Sequence, residues 1–273
     1  RWESNLVFDS NANKLVELFG PDHDGSEADD ITNATTYGYD SYVCLQVGRP
    51  IGAGYDYKLL GVFQSQDEID NYKSSDGTVI MPNAKPGDYK FEDYNNDGKI
   101  DANDRHYVGS PDPLFTLNFG NTLSWKNFSL YFNFRWAQGD KNHFLWCNPN
   151  GHQSNFGSGA QLADSKPWTE KNHSTTVARY GYQNTLGYNF WENRSFLKLK
   201  DLSFSYTFDQ NFIKKVGLSN ARVYVAATDL FTITKWSGLD PENGGTIASN
   251  SASDKYGSNG TYKTVTFGVN LTF

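Results

Sequence analysis

A chain of 273 residues with 24 Lys and Arg against 31 Asp and Glu carries a net charge of −7, which argues against a general nucleic-acid binder. It is 16% aromatic, with 19 Phe, 17 Tyr, 7 Trp and a single Met, yet it is polar on average, a balance that argues against an all-α bundle or a doubly wound parallel sheet. No run approaches the ~18 apolar residues of a membrane-spanning helix and none has signal-peptide layout, which leaves a membrane β-barrel open.

In chain order, the sequence opens at Arg1 without an initiator Met, as expected of a processed product or a fragment. Trp2 to Ser10 and Leu15 to Leu18 are strand candidates on either side of Asn11-Ala12-Asn13. Tyr42–Val47 and Tyr55–Phe63 form another pair, either a membrane hairpin or a ribbon above the membrane. Strong period-two alternation, the mark of strands with one apolar face, starts at Phe115 and places Phe115, Leu117, Phe119, Leu123 and Trp125 against Thr116, Asn118, Gly120, Thr122 and Ser124. After a tight turn at Lys126-Asn127 it resumes with Phe128, Leu130, Phe132, Phe134 and Trp136. Further strands are expected from Phe196 to Phe208, from Ala221 to Phe231 and from Val265 to Phe273.

Turns at 126–127 and 209–220 are short, whereas the segments 64–112, 139–194 and 232–261 are long and rich in Gly, Asn, Asp and Ser. Short and long connections alternating on strands of ~9–11 residues describe an outer-membrane barrel, with the apolar stripe facing lipid and the Thr/Ser/Asn/Gly stripe facing a wet lumen. The alternative is a secreted, calcium-dependent β-sandwich for carbohydrate binding or adhesion, in which the apolar stripe faces a second sheet. Long loops favour the barrel, because structureless stretches of this length are uncommon in compact sandwiches.

Segment 64–112 holds 11 acidic and 5 basic residues and so supplies most of the net charge. Within it, Asp93, Asn95, Asp97, Gly98, Lys99, Ile100, Asp101 and Asp104 fall at the spacing of a calcium-binding loop, with Asp rather than Glu in the last position. The expected ligands are the side chains of Asp93, Asn95, Asp97, Asp101 and Asp104 and the carbonyl of Lys99, around a structural Ca²⁺. The competing expectation is an acidic turn held by its own hydrogen bonds.

Several strings also resemble a known family. Val47-Gly48-Arg49-Pro50-Ile51-Gly52, Tyr55-Asp56-Tyr57-Lys58 and Gly61-Val62-Phe63-Gln64 open the match, and Gly87-Asp88-Tyr89-Lys90 leads through the acidic loop to Asp104-Arg105 and Gly109 to Pro113. Ser195-Phe196-Leu197-Lys198-Leu199-Lys200-Asp201-Leu202, Arg222-Val223-Tyr224, Asp229-Leu230-Phe231-Thr232 and Gly238-Leu239-Asp240-Pro241-Glu242 continue it in order. Together with a last strand ending on Phe273, these resemble the C-terminal part of SusC/RagA-like TonB-dependent outer-membrane transporters of Bacteroidetes.

The resemblance implies an all-β chain of six to eight antiparallel strands from the C-terminal part of a barrel of about 22 strands. Its long loops would be extracellular and its C-terminus periplasmic, with the plug and TonB box absent. It implies nutrient uptake, the import of an oligosaccharide or a peptide, with four partners: the remaining barrel and plug, a SusD-like lipoprotein, the TonB complex acting through the missing plug, and outer-membrane lipid. The expected substrate-contacting residues are Trp146, Trp168, Trp191 and Trp236 in the loops and Tyr131 and Arg135 on the lumen stripe. No enzyme is expected: the five histidines show no metalloprotease spacing, no G-x-S-x-G elbow or phosphate loop occurs, and Asp240 with Glu242 has no fixed geometry as a glycosidase pair. Cys44 and Cys147 stand in no C-x-x-C arrangement, so neither zinc nor a redox pair is expected.

Overall fold

The computed structural model describes residues 1–16, 48–51, 53–110, 112–139, 141–143, 166–188, 191–236, 240–242 and 261–273. Six strands build one antiparallel sheet: β1 (Trp2–Asp9), β6 (Phe115–Trp125), β7 (Phe128–Gln138), β10 (Phe196–Thr207), β11 (Asn220–Thr234) and β12 (Thr264–Thr272), paired in that order. Every neighbour in the sheet is the next long strand in sequence, so this is an up-and-down wall with β1 and β12 as its edges. At one end the connections are short. Lys126, at φ 50°, turns β6 into β7, and a short helix α2 (Gln210–Ile213) lies between β10 and β11.

Pleating gives the sheet two chemically distinct faces. Register aligns Phe119 with Phe134 and Leu6, and Leu202 with Phe132 and Ala227, on one face; Asn133 lies opposite Asp201 and Gly120, and Ser203 opposite Tyr131, on the other. The apolar face is uncovered. Leu6, Phe8, Leu123, Phe204, Ile233 and Phe267 are all exposed, Phe267 at 81%. A sandwich would bury this face under a second sheet. A single sheet with such a face matches a wall that meets lipid, and the sandwich alternative is set aside.

Aromatic rings concentrate at both ends of that face. Phe8, Phe115 and Trp136 pack at the long-loop end, with centroids 5.7 and 5.0 Å apart. At the short-turn end Trp125, Phe128, Tyr206, Phe208 and Phe212 form a chain of contacts 4.8–6.3 Å apart. The step from Phe115 to Trp125 covers roughly 33 Å of strand at ~3.3 Å per residue. A tilt of ~40° reduces it to the ~25 Å apolar band that aromatic girdles flank in membrane barrels.

A buried polar side chain interrupts the apolar stripe. Asn121 is 2% exposed, and its Oδ1 accepts hydrogen bonds from Trp2 Nε1 at 2.9 Å and Ser4 Oγ at 2.7 Å, tying β1 to β6 in register. On the lumen face Tyr224 of β11 lies flat across Gly268 of β12, where a Cβ would come within 2.2 Å of the ring. That close approach explains the glycine in the final strand.

The long segments are not structureless. Between β1 and β6 the chain forms β2 (Gly54–Asp56), β3 (Leu59–Val62), helix α1 (Gln66–Asn71), β4 (Tyr89–Phe91) and β5 (His106–Gly109), with β2 paired to β5 and β3 to β4. Tyr55–Phe63 is therefore a ribbon element outside the wall and not a membrane hairpin. Its expected partner, Tyr42–Val47, lies outside the described residues, as do Cys44 and Cys147. Leu15 pairs with Gly48 and Arg49 through two 2.8 Å backbone bonds. Between β7 and β10 the strands β8 (Lys141–His143) and β9 (Trp191–Asn193) extend the hairpin beyond the sheet.

Candidate functional site

The two long segments converge on one platform at the long-loop end. Tyr57, Val62, Tyr89 and Phe91 from the first share a core with Ala178, Tyr182 and Tyr188 from the second. Edge-to-face ring pairs, Tyr89–Tyr182 at 5.1 Å and Phe91–Tyr188 at 5.2 Å, join the halves. Arg179 Nε donates to Asp88 at 2.7 Å across the same seam. Burial pushes the Tyr182 and Tyr188 hydroxyls well above the usual phenol range, so they remain neutral donors.

Two of the loop tryptophans, Trp168 and Trp191, pack against this core. Trp168 is half-buried against the core and donates through Nε1 to Gln64 Oε1 at 3.1 Å. Trp191 is also half-buried and donates to Asp56 Oδ2 at 2.8 Å. Trp236, 7% exposed, follows β11, and Trp146 lies outside the described residues. Tyr131 has the most open position among the described residues expected to contact substrate. It lines a lumen-facing groove of about 340 Å³ with Asn5, Asn118, Thr122 and Asn133, a polar surface rich in hydrogen-bonding groups.

Arg135 belongs to a balanced charge cluster at the mouth of the lumen face. Lys198 of β10 is 1% exposed and donates to both carboxylate oxygens of Asp240 at 3.0 Å and to Glu242 at 2.8 Å. Lys200, the residue at the β10 bulge, reaches Glu242 at 3.2 Å and Asp229 at 3.1 Å, while Arg135 reaches Glu242 at 3.1 Å. Three cations thus meet three anions, and the cluster holds 240–242 against the inner face of the wall. Burial raises the Glu242 carboxyl, but hydrogen bonds from Lys198 and Lys200 outweigh it and hold the group below its usual range. Asp240 and Glu242, which have no fixed geometry as a glycosidase pair in the sequence, serve here as counter-ions to Lys198 and Lys200. The available signal was two lysines inside a wall strand, which need counter-ions.

The acidic loop is organised around its own amides. Asp93, 8% exposed, accepts from the Asp97 and Gly98 amides at 3.1 and 2.8 Å. Asp104, fully buried, accepts from Tyr94 at 2.9 Å and Asp101 at 2.7 Å. Asn95 and Asp97 accept from the amides of Asp97 and Lys99, and Gly98 turns the chain at φ 87°. Ile100 packs against the platform core as the spacing implies. The Lys99 ammonium pairs with Asp101, which draws the Asp101 carboxyl down and the Lys99 amine up. Among the described residues no three acidic, His or Cys side chains converge to hold a metal in this arrangement.

No family model matches the sequence. The chain is similar over its whole length to two curated proteins of Formosa agariphila, TonB-dependent receptors P3 and P26, at 31% and 30% identity. It is 25% identical over 88% of its length to the TonB-dependent receptor SusC of Bacteroides thetaiotaomicron, aligned with 22% of that protein. It spans 27% of each Formosa receptor, about a quarter of the length of these relatives. In fold, the whole chain superposes on 26% of a chain in the solved RagAB peptide importer, open-open state, with a TM-score of 0.65 and 22% identity. The closed-closed state gives 0.63.

Proposed function

Because this chain belongs to the TonB-dependent receptors, we propose that it forms a section of barrel wall and extracellular platform in an outer-membrane importer powered through TonB. The observation that carries the reading is the two-faced sheet, apolar and girdled by aromatics outside, polar inside, with edges that need further strands. An open edge in lipid leaves backbone groups unsatisfied, so the wall closes only with the strands of the remaining receptor. By proximity to a receptor of SusC kind and an importer of peptides, the cargo is an oligosaccharide or a peptide. A SusD-like lipoprotein docks on the platform, and the plug and TonB box lie elsewhere in the receptor. The long loops face outward and Phe273 the periplasm. Like its relatives, named receptors and importers, the chain is not an enzyme.

The test is uptake in the native cell by the full receptor. Uptake of the matching glycan or peptide is expected to vanish on deletion of TonB. Uptake that survives identifies a passive pore and overturns the proposal.

Calcium enters only as part of this proposal. To bind it, Asp93, Asn95, Asp97, Asp101 and Asp104 would turn oxygens from amides to the ion beside the Lys99 carbonyl, and Lys99 would release Asp101. Chelation is then expected to speed hydrogen exchange selectively at 88–110. Unchanged protection removes the metal.

A further inference from the structure

Beside the ring pairs that join the two halves of the platform lies a cavity of about 450 Å³, walled by both long segments. Ile80, Met81 and Ile100 from the first and Leu186 from the second give it an aliphatic lining. Tyr182 lines it too, 7% exposed, with its ring edge-on to Tyr89 at 5.1 Å. Its hydroxyl, kept neutral by burial, has no hydrogen-bond partner among the described residues. A largely desolvated donor without a partner costs free energy that a ligand oxygen can recover. The charges at the rim are balanced within the protein. Asp88 accepts from Arg179 Nε at 2.7 Å and from the Lys85 amide at 2.9 Å, and Lys99 pairs with Asp101.

We propose that this cavity is a peptide-binding site: it takes one aliphatic side chain of a cargo peptide, and the adjoining peptide carbonyl accepts from the Tyr182 hydroxyl. The volume lies within the range of small-ligand pockets and has room for a leucine side chain with its flanking amides. The balanced rim selects no charge, so the peptide is held within its length and not by a charged terminus. An oligosaccharide fits the lining poorly. Its hydroxyls would lie against aliphatic carbon without partners, and Tyr182, the aromatic residue of the lining, has no open face on which a sugar could stack. The inference rests on the importer reading above and narrows its cargo to a peptide.

The experiment uses the full-length receptor with its partners in mild detergent. The probe is acetyl-Gly-photoleucine-Gly amide, a capped peptide whose diazirine side chain crosslinks on illumination. Adducts on the wild type are expected at 80–84, 100 and 182–186. Excess acetyl-Gly-Leu-Gly amide should suppress them, and acetyl-Gly-Ser-Gly amide or maltotriose should not. Tyr182→Phe removes the hydroxyl and keeps the ring pair. It should raise the concentration of leucine peptide needed for half suppression about fivefold, as one neutral hydrogen bond contributes, and leave thermal stability unchanged. Adducts confined to other positions, equal suppression by the serine peptide or maltotriose, or unaltered suppression in Tyr182→Phe overturns the site. Thr185→Trp, at the exposed rim, should block the adducts. Loss of a docked lipoprotein in that variant with adducts unchanged identifies a docking socket and also overturns the site. The crosslink does not depend on TonB, so its failure overturns this site alone, whereas uptake that survives deletion of TonB refutes the importer reading.

Discussion

Replacing Lys198 by Met is expected to release the segment around Asp240 and Glu242 from the lumen wall at a cost of about 3–5 kcal/mol, the penalty for removing one partner of a buried ion pair. Lys198 is 1% and Asp240 7% exposed, so the loss strands a carboxylate in a desolvated site. Adding Asp240→Asn is expected to recover much of the loss, because removing both charges leaves neither uncompensated. Glu242 retains Lys200 and Arg135 in both variants. Limited proteolysis of the assembled receptor reads the result: cleavage within 236–261 should accelerate in the single variant and return toward wild type in the double. Equal cleavage in all three would show that the cluster does not hold the loop.

The same cluster fixes a direction for pH. The Glu242 carboxyl is held below its unfolded value, so its contribution is complete above the ordinary glutamate range and is lost as pH falls through the depressed value. Acid, not base, should loosen the loop.

Arginine at Leu202 is expected to destabilise the assembled barrel by about 2–4 kcal/mol, the cost of a cation on the lipid face near the bilayer midplane. Arginine at the adjacent Ser203 should cost much less, because that side chain faces the polar interior opposite Tyr131. Denaturant titration of the full receptor in bilayers compares the two. Similar costs at both positions would mean that the sheet does not have lipid on one side and water on the other.

The wall was readable because its physics is local in sequence. Alternation defines β6, β7 and β12, and even the β10 bulge is written in the chain, where the apolar phase slips from Leu197 and Leu199 to Leu202 and Phe204. Asn121 escaped notice because it stands on the apolar stripe and its partners, Trp2 and Ser4, are more than a hundred residues away. The platform was illegible for the same reason. Its strands are three or four residues long, too short to show a period, and its core joins Tyr89 to Tyr182 across loops that read as Gly- and Asn-rich turns. Trp168 and Trp191 show the same distance effect: their indole N–H groups bond to Gln64 and Asp56, each more than a hundred residues away in sequence. In the acidic loop, side-chain oxygens that match the calcium-loop spacing also cap the loop's own amides.

The central claim is that β6 and β7 cross a bilayer with one face in lipid and the other in water. It is tested most directly by nitroxide scanning of 115–125 and 128–138 in the assembled, cysteine-free receptor in bilayers, comparing collisions with oxygen and with a water-soluble nickel chelate. The account predicts strict period-two alternation. Oxygen access should peak at Leu117, Phe119, Leu130, Phe132 and Phe134, and nickel access at Asn118, Gly120, Tyr131 and Asn133. Nickel access on both faces, or no alternation, would contradict it.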